Sequence, residues 1–197
     1  MGNGKPTETK LTEKKPTETK LTEMPPAYQL KVALVDSEPE VWRRLVVPAD
    51  ITLETLHDLL QRAMGWENLH DYSFRIGLSP NQVLCDRTML LSQYITHHID
   101  SYKQQPLYYY YDPDCGWAHR LTLEALDISE HEETTLPTCL DGAAACPPEN
   151  IGGIWGYEEM LTTLEDPEDP TYLDLLDKYG DFDPLAFSLT EANQRLA

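Results

Sequence analysis

The stretch from Tyr28 to Ile76 changes its hydrophobic period twice, and that change restricts the fold more than any other feature of the chain. In "YQLKVALV", Tyr28, Leu30, Val32 and Leu34 alternate with other residues, the period of two that a strand lying on a core requires. "SEPE" is a turn and "VWRRLVV" reads as a second strand, so a hairpin with a short loop is expected. Pro48 and Asp50 end it. Leu53, Leu56, Leu59, Leu60, Ala63 and Met64 then recur at helical spacing. Thr52 stands where it can cap that helix and Gly65 where a C-terminal glycine belongs. "DYSFRIG" returns to alternation through Tyr72, Phe74 and Ile76.

This strand-strand-helix-strand order is that of a ubiquitin-like or related α+β roll. Residues 78–105 read as irregular, apart from one helical turn around "LSQYI". "PLYYYYD" and "WAHRLTLEAL" are expected to form a second hairpin across the tight turn "DPDCG", with Trp117, His119, Leu121 and Leu123 on one face. The whole is an antiparallel or mixed sheet with a helical C-terminal third. Tyr157, Met160, Leu161 and Leu164 make one stripe there, and Tyr172, Leu173, Leu175 and Leu176 a second, ended by Gly180. "SLTE" is a capping box for a short last helix. Residues 1–24 contain a tandem decapeptide, "KPTETKLTEK" then "KPTETKLTEM", too polar to bury a core, and are expected to be a disordered tail. Residues 25–197 are expected to be a single domain.

Charge narrows the partners. The chain has 34 Asp and Glu against 15 Lys and Arg, a net charge of −19. The tail is slightly basic, so the body alone carries thirty acids against ten bases. Such a body repels nucleic-acid phosphates unless a local basic patch overrides it, and Arg43-Arg44 is its one compact basic pair. No apolar run approaches the ~20 residues of a membrane span, and the N-terminus lacks the apolar stretch of a signal peptide. The expectation is a cytoplasmic protein with reduced thiols, no membrane partner, and an unidentified protein or small molecule as partner.

Two places carry chemistry-bearing side chains. At the second hairpin, Asp112, Asp114, Cys115 and His119 suggest a metal or acid-base cluster. Against this, His119 shares a face with Trp117 and Leu121, as a hydrogen-bonded core histidine would. Asp112 and Asp114 can equally be turn residues bonding their own backbone. Cys139 and Cys146 bracket "LDGAAA" and, with His119, make a candidate zinc set; the alternative is two buried thiols, with no cofactor at all. The second place is "CPPENIGGIWGY". Pro147 and Pro148 fix the backbone there. Glu149 either faces solvent or reaches a helix N-terminus. Gly152 and Gly153 allow positive φ or close approach of another surface. "GYEEML" then starts a helix. No phosphate-loop, dinucleotide, nucleophile-elbow, zinc-protease or kinase motif appears.

These blocks together resemble a known family. Pro39-x-x-Trp42-Arg43-Arg44, "VPADITLETLH", "AMGW", "LHDYSF", "YYYYD" with Trp117 and His119, "CPPEN", "IGGIWGY" and the closing "FDPLAFSLTEANQRL" are similar to the plasmid pRiA4b ORF-3-like family over residues 27–196. The hairpin tip departs from the family pattern, with Pro113, Asp114 and Cys115 where Phe, Gly and Asp are usual, and Asn150 replaces an aspartate. The resemblance implies a compact α+β domain found on plasmids and in mobile elements; it implies no mechanism. The expected function is a non-enzymatic binding or adaptor domain. Its candidate pocket joins Asp112, Trp117, His119, Glu149 and Tyr157 with Trp42, Arg43 and Arg44. The alternatives are a metal-dependent enzyme using His119, Cys139, Cys146 and carboxylates, and DNA association through Lys31, Arg43 and Arg44.

Overall fold

The computed structural model describes residue 1 and residues 26–77, 81–98, 106–126 and 135–197. The decapeptide tail lies outside the described residues. Elements follow in the order β1 (Ala27–Leu34), β2 (Trp42–Pro48), α1 (Leu53–Met64), β3 (Tyr72–Ile76), β4 (Val83–Leu84), α2 (Leu91–His98), β5 (Leu107–Tyr111), β6 (Trp117–Leu126), β7 (Thr138–Ala143), α3 (Gly153–Glu165), α4 (Tyr172–Tyr179) and α5 (Leu189–Leu196).

The strands form one seven-stranded sheet in the order β4-β3-β5-β6-β1-β2-β7, and every pairing is antiparallel. The α+β class and the strand-strand-helix-strand start are present, and the sheet is antiparallel rather than mixed. The connection through α1 leaves a gap of two strand positions between β1 and β3. The hairpin β5–β6 fills that gap, so the middle of the sheet is completed by the chain's second half.

Periodicity explains which face is buried. Leu30, Val32 and Leu34 of β1, Leu45 and Val47 of β2, Phe74 and Ile76 of β3, Leu107, Tyr109 and Tyr111 of β5, and Trp117, His119 and Leu121 of β6 all turn to the same side. There they meet α1, whose Leu53, Leu56, Leu59, Leu60, Ala63 and Met64 are buried as their spacing predicts. Thr52 caps α1 by accepting from the Thr55 N–H, and Gly65 closes it in the left-handed conformation at φ 84°. Ser188 likewise accepts from the Glu191 N–H at the start of α5.

Four elements differ from the sequence reading, the first being β4, whose Val83 and Leu84 pair with β3 inside a stretch read as irregular. The helical turn around "LSQYI" is a helix of 8 residues. Residues 138–143, where no strand is expected, form an edge strand; a register shift at Arg44/Leu45 breaks its alternation and leaves one fully buried side chain, Cys139. The helix expected from Gly156 begins at Gly153.

The early start of α3 depends on the double glycine. Gly152 and Gly153 both have positive φ, 99° and 70°. Gly153 lies directly on the tip of the β5–β6 hairpin, where an added Cβ would collide with the Cys115 carbonyl. Both roles anticipated for the pair are realised. Gly153→Ala should therefore cost about 3 kcal/mol or more, through backbone strain and displacement of the hairpin tip. Gly116→Ala, at φ 79° but with open space around it, should cost only about 1 kcal/mol. Equal losses in urea unfolding would rule out the contact as the cause.

Candidate functional site

The "CPPEN" loop is a clamp. The Glu149 side chain is buried, and it neither faces solvent nor reaches a helix N-terminus as expected. It reaches instead the segment that leaves α1. Oε2 accepts from the Glu67 N–H at 2.8 Å, and Oε1 accepts from the Leu69 N–H at 3.0 Å and from the Tyr111 hydroxyl. Tyr111 in turn accepts from the His70 N–H at 3.0 Å. Two indoles complete the junction: Trp66 donates to the Pro147 carbonyl and Trp117 to the Glu149 carbonyl. Burial pushes the Glu149 carboxyl up, but the three donors outweigh it and hold the group below the usual range. Burial pushes Tyr111 up to about 12, so the phenol stays a donor.

His119 faces the packed core. It is 1% exposed, lies edge-on to Trp66 and beside Tyr109, and neither ring nitrogen has a hydrogen-bond partner. Burial takes its pKa down to about 3, so it is neutral near pH 7. The expected local hydrogen bond is missing. A second histidine, His57, does have hydrogen bonds: Nδ1 meets the Tyr109 hydroxyl at 2.7 Å and Nε2 the Asn68 side-chain Oδ1 at 2.9 Å, with Tyr72 stacked on its ring. The sequence reading missed this network, although the buried position of His57 in the α1 stripe was its signal.

The other candidates separate. Asp112, at φ 52°, accepts from the Asp114 and Cys115 N–H groups, which makes it a turn residue; its other oxygen lies 3.7 Å from His70 Nε2. Arg43 and Arg44 do not form a basic pair, because alternation sends them to opposite faces. Arg43 is buried, donates to the carbonyls of Trp42, Ala143 and Ala144, and packs on Phe187. Arg44 lies on the opposite face and pairs with Glu124 and Asp141 beside Trp42. Tyr157 is buried, with no partner for its hydroxyl. Cys139 directs its thiol to the Asp141 carbonyl, and burial pushes Cys146 up to about 12, so neither is a poised nucleophile. Among the described residues no group of three or more His, Cys, Asp and Glu is placed to hold a metal ion, so the set His119, Cys139 and Cys146 is not assembled.

Residues 26–191 match the plasmid pRiA4b ORF-3-like protein family. The chain belongs to that family. An uncharacterised protein, y4hQ, of Sinorhizobium fredii (strain NBRC 101917 / NGR234) is 36% identical to this plasmid pRiA4b ORF-3-like chain over 178 residues, covering 84% of this chain and 88% of the relative. The crystal structure of a protein of unknown function from Methanosarcina mazei Go1 superposes with a TM-score of 0.73 at 31% identity, covering 84% of this chain and 97% of the other. Within the matched range, "GWENLH", "YYYY", Trp117, "CPPEN" and the double glycine converge on Glu149 and the hairpin tip.

Two predictions follow from this pRiA4b ORF-3-like core. Glu149→Ala leaves two N–H groups and one phenol without an acceptor and should cost about 3 kcal/mol, with Tyr111→Phe costing about 1 kcal/mol. Denaturant unfolding showing no loss for Glu149→Ala would contradict the clamp. The second concerns His119. An unfolded histidine takes its proton near pH 6.5, whereas in the fold this waits until about pH 3. Between these values the unfolded chain binds the extra proton, so stability falls as pH drops below about 6.5. His57, also lowered by burial, acts in the same direction. His119→Phe should keep stability at pH 7 within about 1 kcal/mol and reduce the loss between pH 7 and pH 5; an unchanged pH profile would refute it.

Proposed function

We propose that this domain is a non-enzymatic protein-binding module whose partner is a basic, amphipathic segment docking on α3 and α4. The observation that carries it is the character of α4. Its Tyr172, Leu175 and Tyr179 are half-buried, yet it has no fully buried residue and presents Leu173, 73% exposed, and Leu176 on its outer side. Trp155 of α3 is 78% exposed, and Leu185 after α4 is exposed as well.

Exposed apolar side chains of this size are costly to leave in water and mark a contact surface when they cluster. Their surroundings select the partner. Residues 153–185 hold ten Asp and Glu and one Lys. The charge complementary to that surface is basic, and the apolar side chains favour a helix with one apolar face. Beside α4 lies a groove of about 440 Å³ between Tyr179, Phe182, Trp66, Leu69 and Pro148. It gives one apolar side chain of the partner a place to insert.

No helix among the described residues is long and apolar enough to cross a membrane. The test is a titration with a synthetic helical peptide of Lys and Leu, followed by calorimetry at two salt concentrations. Binding should weaken with salt and drop by about tenfold in Leu173→Ser/Leu176→Ser. Affinity unchanged by that double variant, or no binding to the wild-type chain at low salt, would overturn the reading.

A further inference from the structure

The open face of the sheet carries two arginines whose isolation needs an explanation. Arg44 pairs with Glu124 and Asp141, Arg87 with Asp71, and Arg195 approaches Glu191. Arg43 and Arg62 donate to backbone carbonyls. Among the described residues, the side chains of Arg75 and Arg120 have neither an ion pair nor a hydrogen bond, in a chain where acids outnumber bases 34 to 15. Both are exposed, and both belong to one cross-strand row, Arg75–Tyr108–Arg120. Two strand spacings of ~4.8 Å put their backbones ~10 Å apart, with Tyr108 as the residue paired between them.

A concavity adjoins the row. It measures about 640 Å³ and is lined by Ser73, Arg75 and Tyr110, with Arg87, Asp71 and Asp112 among its walls. Its aromatic surfaces are held in place. The Tyr110 hydroxyl is bonded to the Gln82 side chain, Arg75 lies 5.1 Å from the Tyr110 ring, and Arg87 lies 4.1 Å from the Tyr72 ring. The Tyr108 and Tyr110 rings stand 6.2 Å apart.

We propose that this face binds a nucleotide, with the phosphate bridging the Arg75 and Arg120 guanidinium groups above Tyr108 and the base in the groove beside Tyr110. Guanidinium groups recognise phosphate oxygens through paired N–H donors, and tyrosine faces accept stacked bases. The groove volume falls in the range of small-ligand sites. Asp71 lies in the groove rather than on the arginine row, and its exposed carboxylate can accept from an amino or hydroxyl donor of the ligand without opposing its phosphate. The same chemistry occurs in free mononucleotides and in single-stranded nucleic acid. The acidic body favours the former, since each further phosphate would meet repulsion without an unpaired arginine to offset it.

The full chain should be titrated with AMP, GMP, CMP and UMP, and with adenosine, inorganic phosphate and a ten-nucleotide single strand. At least one monophosphate should bind, with adenosine and phosphate each about tenfold weaker. Arg75→Ala and Arg120→Ala should each lower affinity by about tenfold, and Arg75→Lys/Arg120→Lys, which keeps the charge but not the paired donors, should be intermediate. Thermal unfolding of these exposed variants reports whether they fold. No monophosphate binding at about 5 mM, or affinity unchanged in both the alanine and the lysine variants, overturns the site. A strand binding more than about tenfold tighter than every monophosphate overturns its assignment to mononucleotides.

Discussion

The structure depends on one buried carboxylate. Glu149 joins three parts of the chain that sequence keeps far apart: its own loop, the exit of α1 at Glu67 and Leu69, and β5 at Tyr111. Burying a carboxylate is unfavourable unless its lone pairs are satisfied, and here three donors do so. The donors are also groups that need an acceptor. The Glu67 and Leu69 N–H groups follow a helix end, where no regular structure would use them, and the Tyr111 hydroxyl is enclosed among Trp66, His57 and His70. The charge therefore stabilises both sides of the junction, and the two indole bonds to the loop backbone set the loop's position against the sheet.

Arg43 does for the far edge of the sheet what Glu149 does for the centre. Its guanidinium is buried without a carboxylate, so burial lowers its pKa, and backbone carbonyls on β2 and at the end of β7 take its two terminal nitrogens, leaving Nε without a partner. Those carbonyls are orphaned by the end of the β2–β7 ladder and by the left-handed turn at Ala144, φ 64°. A cation with several donors closes that edge, where one neutral side chain could not supply enough. Asn193 of α5 completes the closure by exchanging bonds with the Cys139 backbone. Both buried ions hold backbone segments together, and the core between them is aromatic.

How far this was legible follows from the range of each interaction. Period and capping are local, so β1, β2, α1, β3 and the β5–β6 hairpin could be read directly, with Thr52 and Gly65 bounding α1 as their types require. The fate of Arg43 was legible too: in "VWRRLVV" the alternation that buries Leu45 and Val47 also buries Arg43, and reading the two arginines as a surface pair ignored it. The strand β7 was not legible, because its register shift removes the alternation that would mark it. Glu149 could be singled out, since proline geometry does not account for it, but its backbone donors lie about eighty residues earlier and the Tyr111 hydroxyl 38 residues earlier, and no local pattern names them. His119 could be placed on the core face; that it has no partner there is a property of packing that spacing does not encode.

Net charge described the chain poorly for the same reason: it has no geometry. The acids of residues 153–185 lie on α3, α4 and the turns around them, on the side of the sheet where Tyr157 and Met160 enter the core. The unpaired arginines stand on the other face. The two surfaces lie on opposite sides of the sheet, and exposed charges farther apart than the screening length of ~8 Å at physiological salt interact weakly. Each face therefore presents its own local field to a ligand within contact range, and only the long-range approach of a large polyanion feels the sum. A strongly acidic chain can in this way hold a surface suited to cations and, across the sheet, a small one suited to a single phosphate.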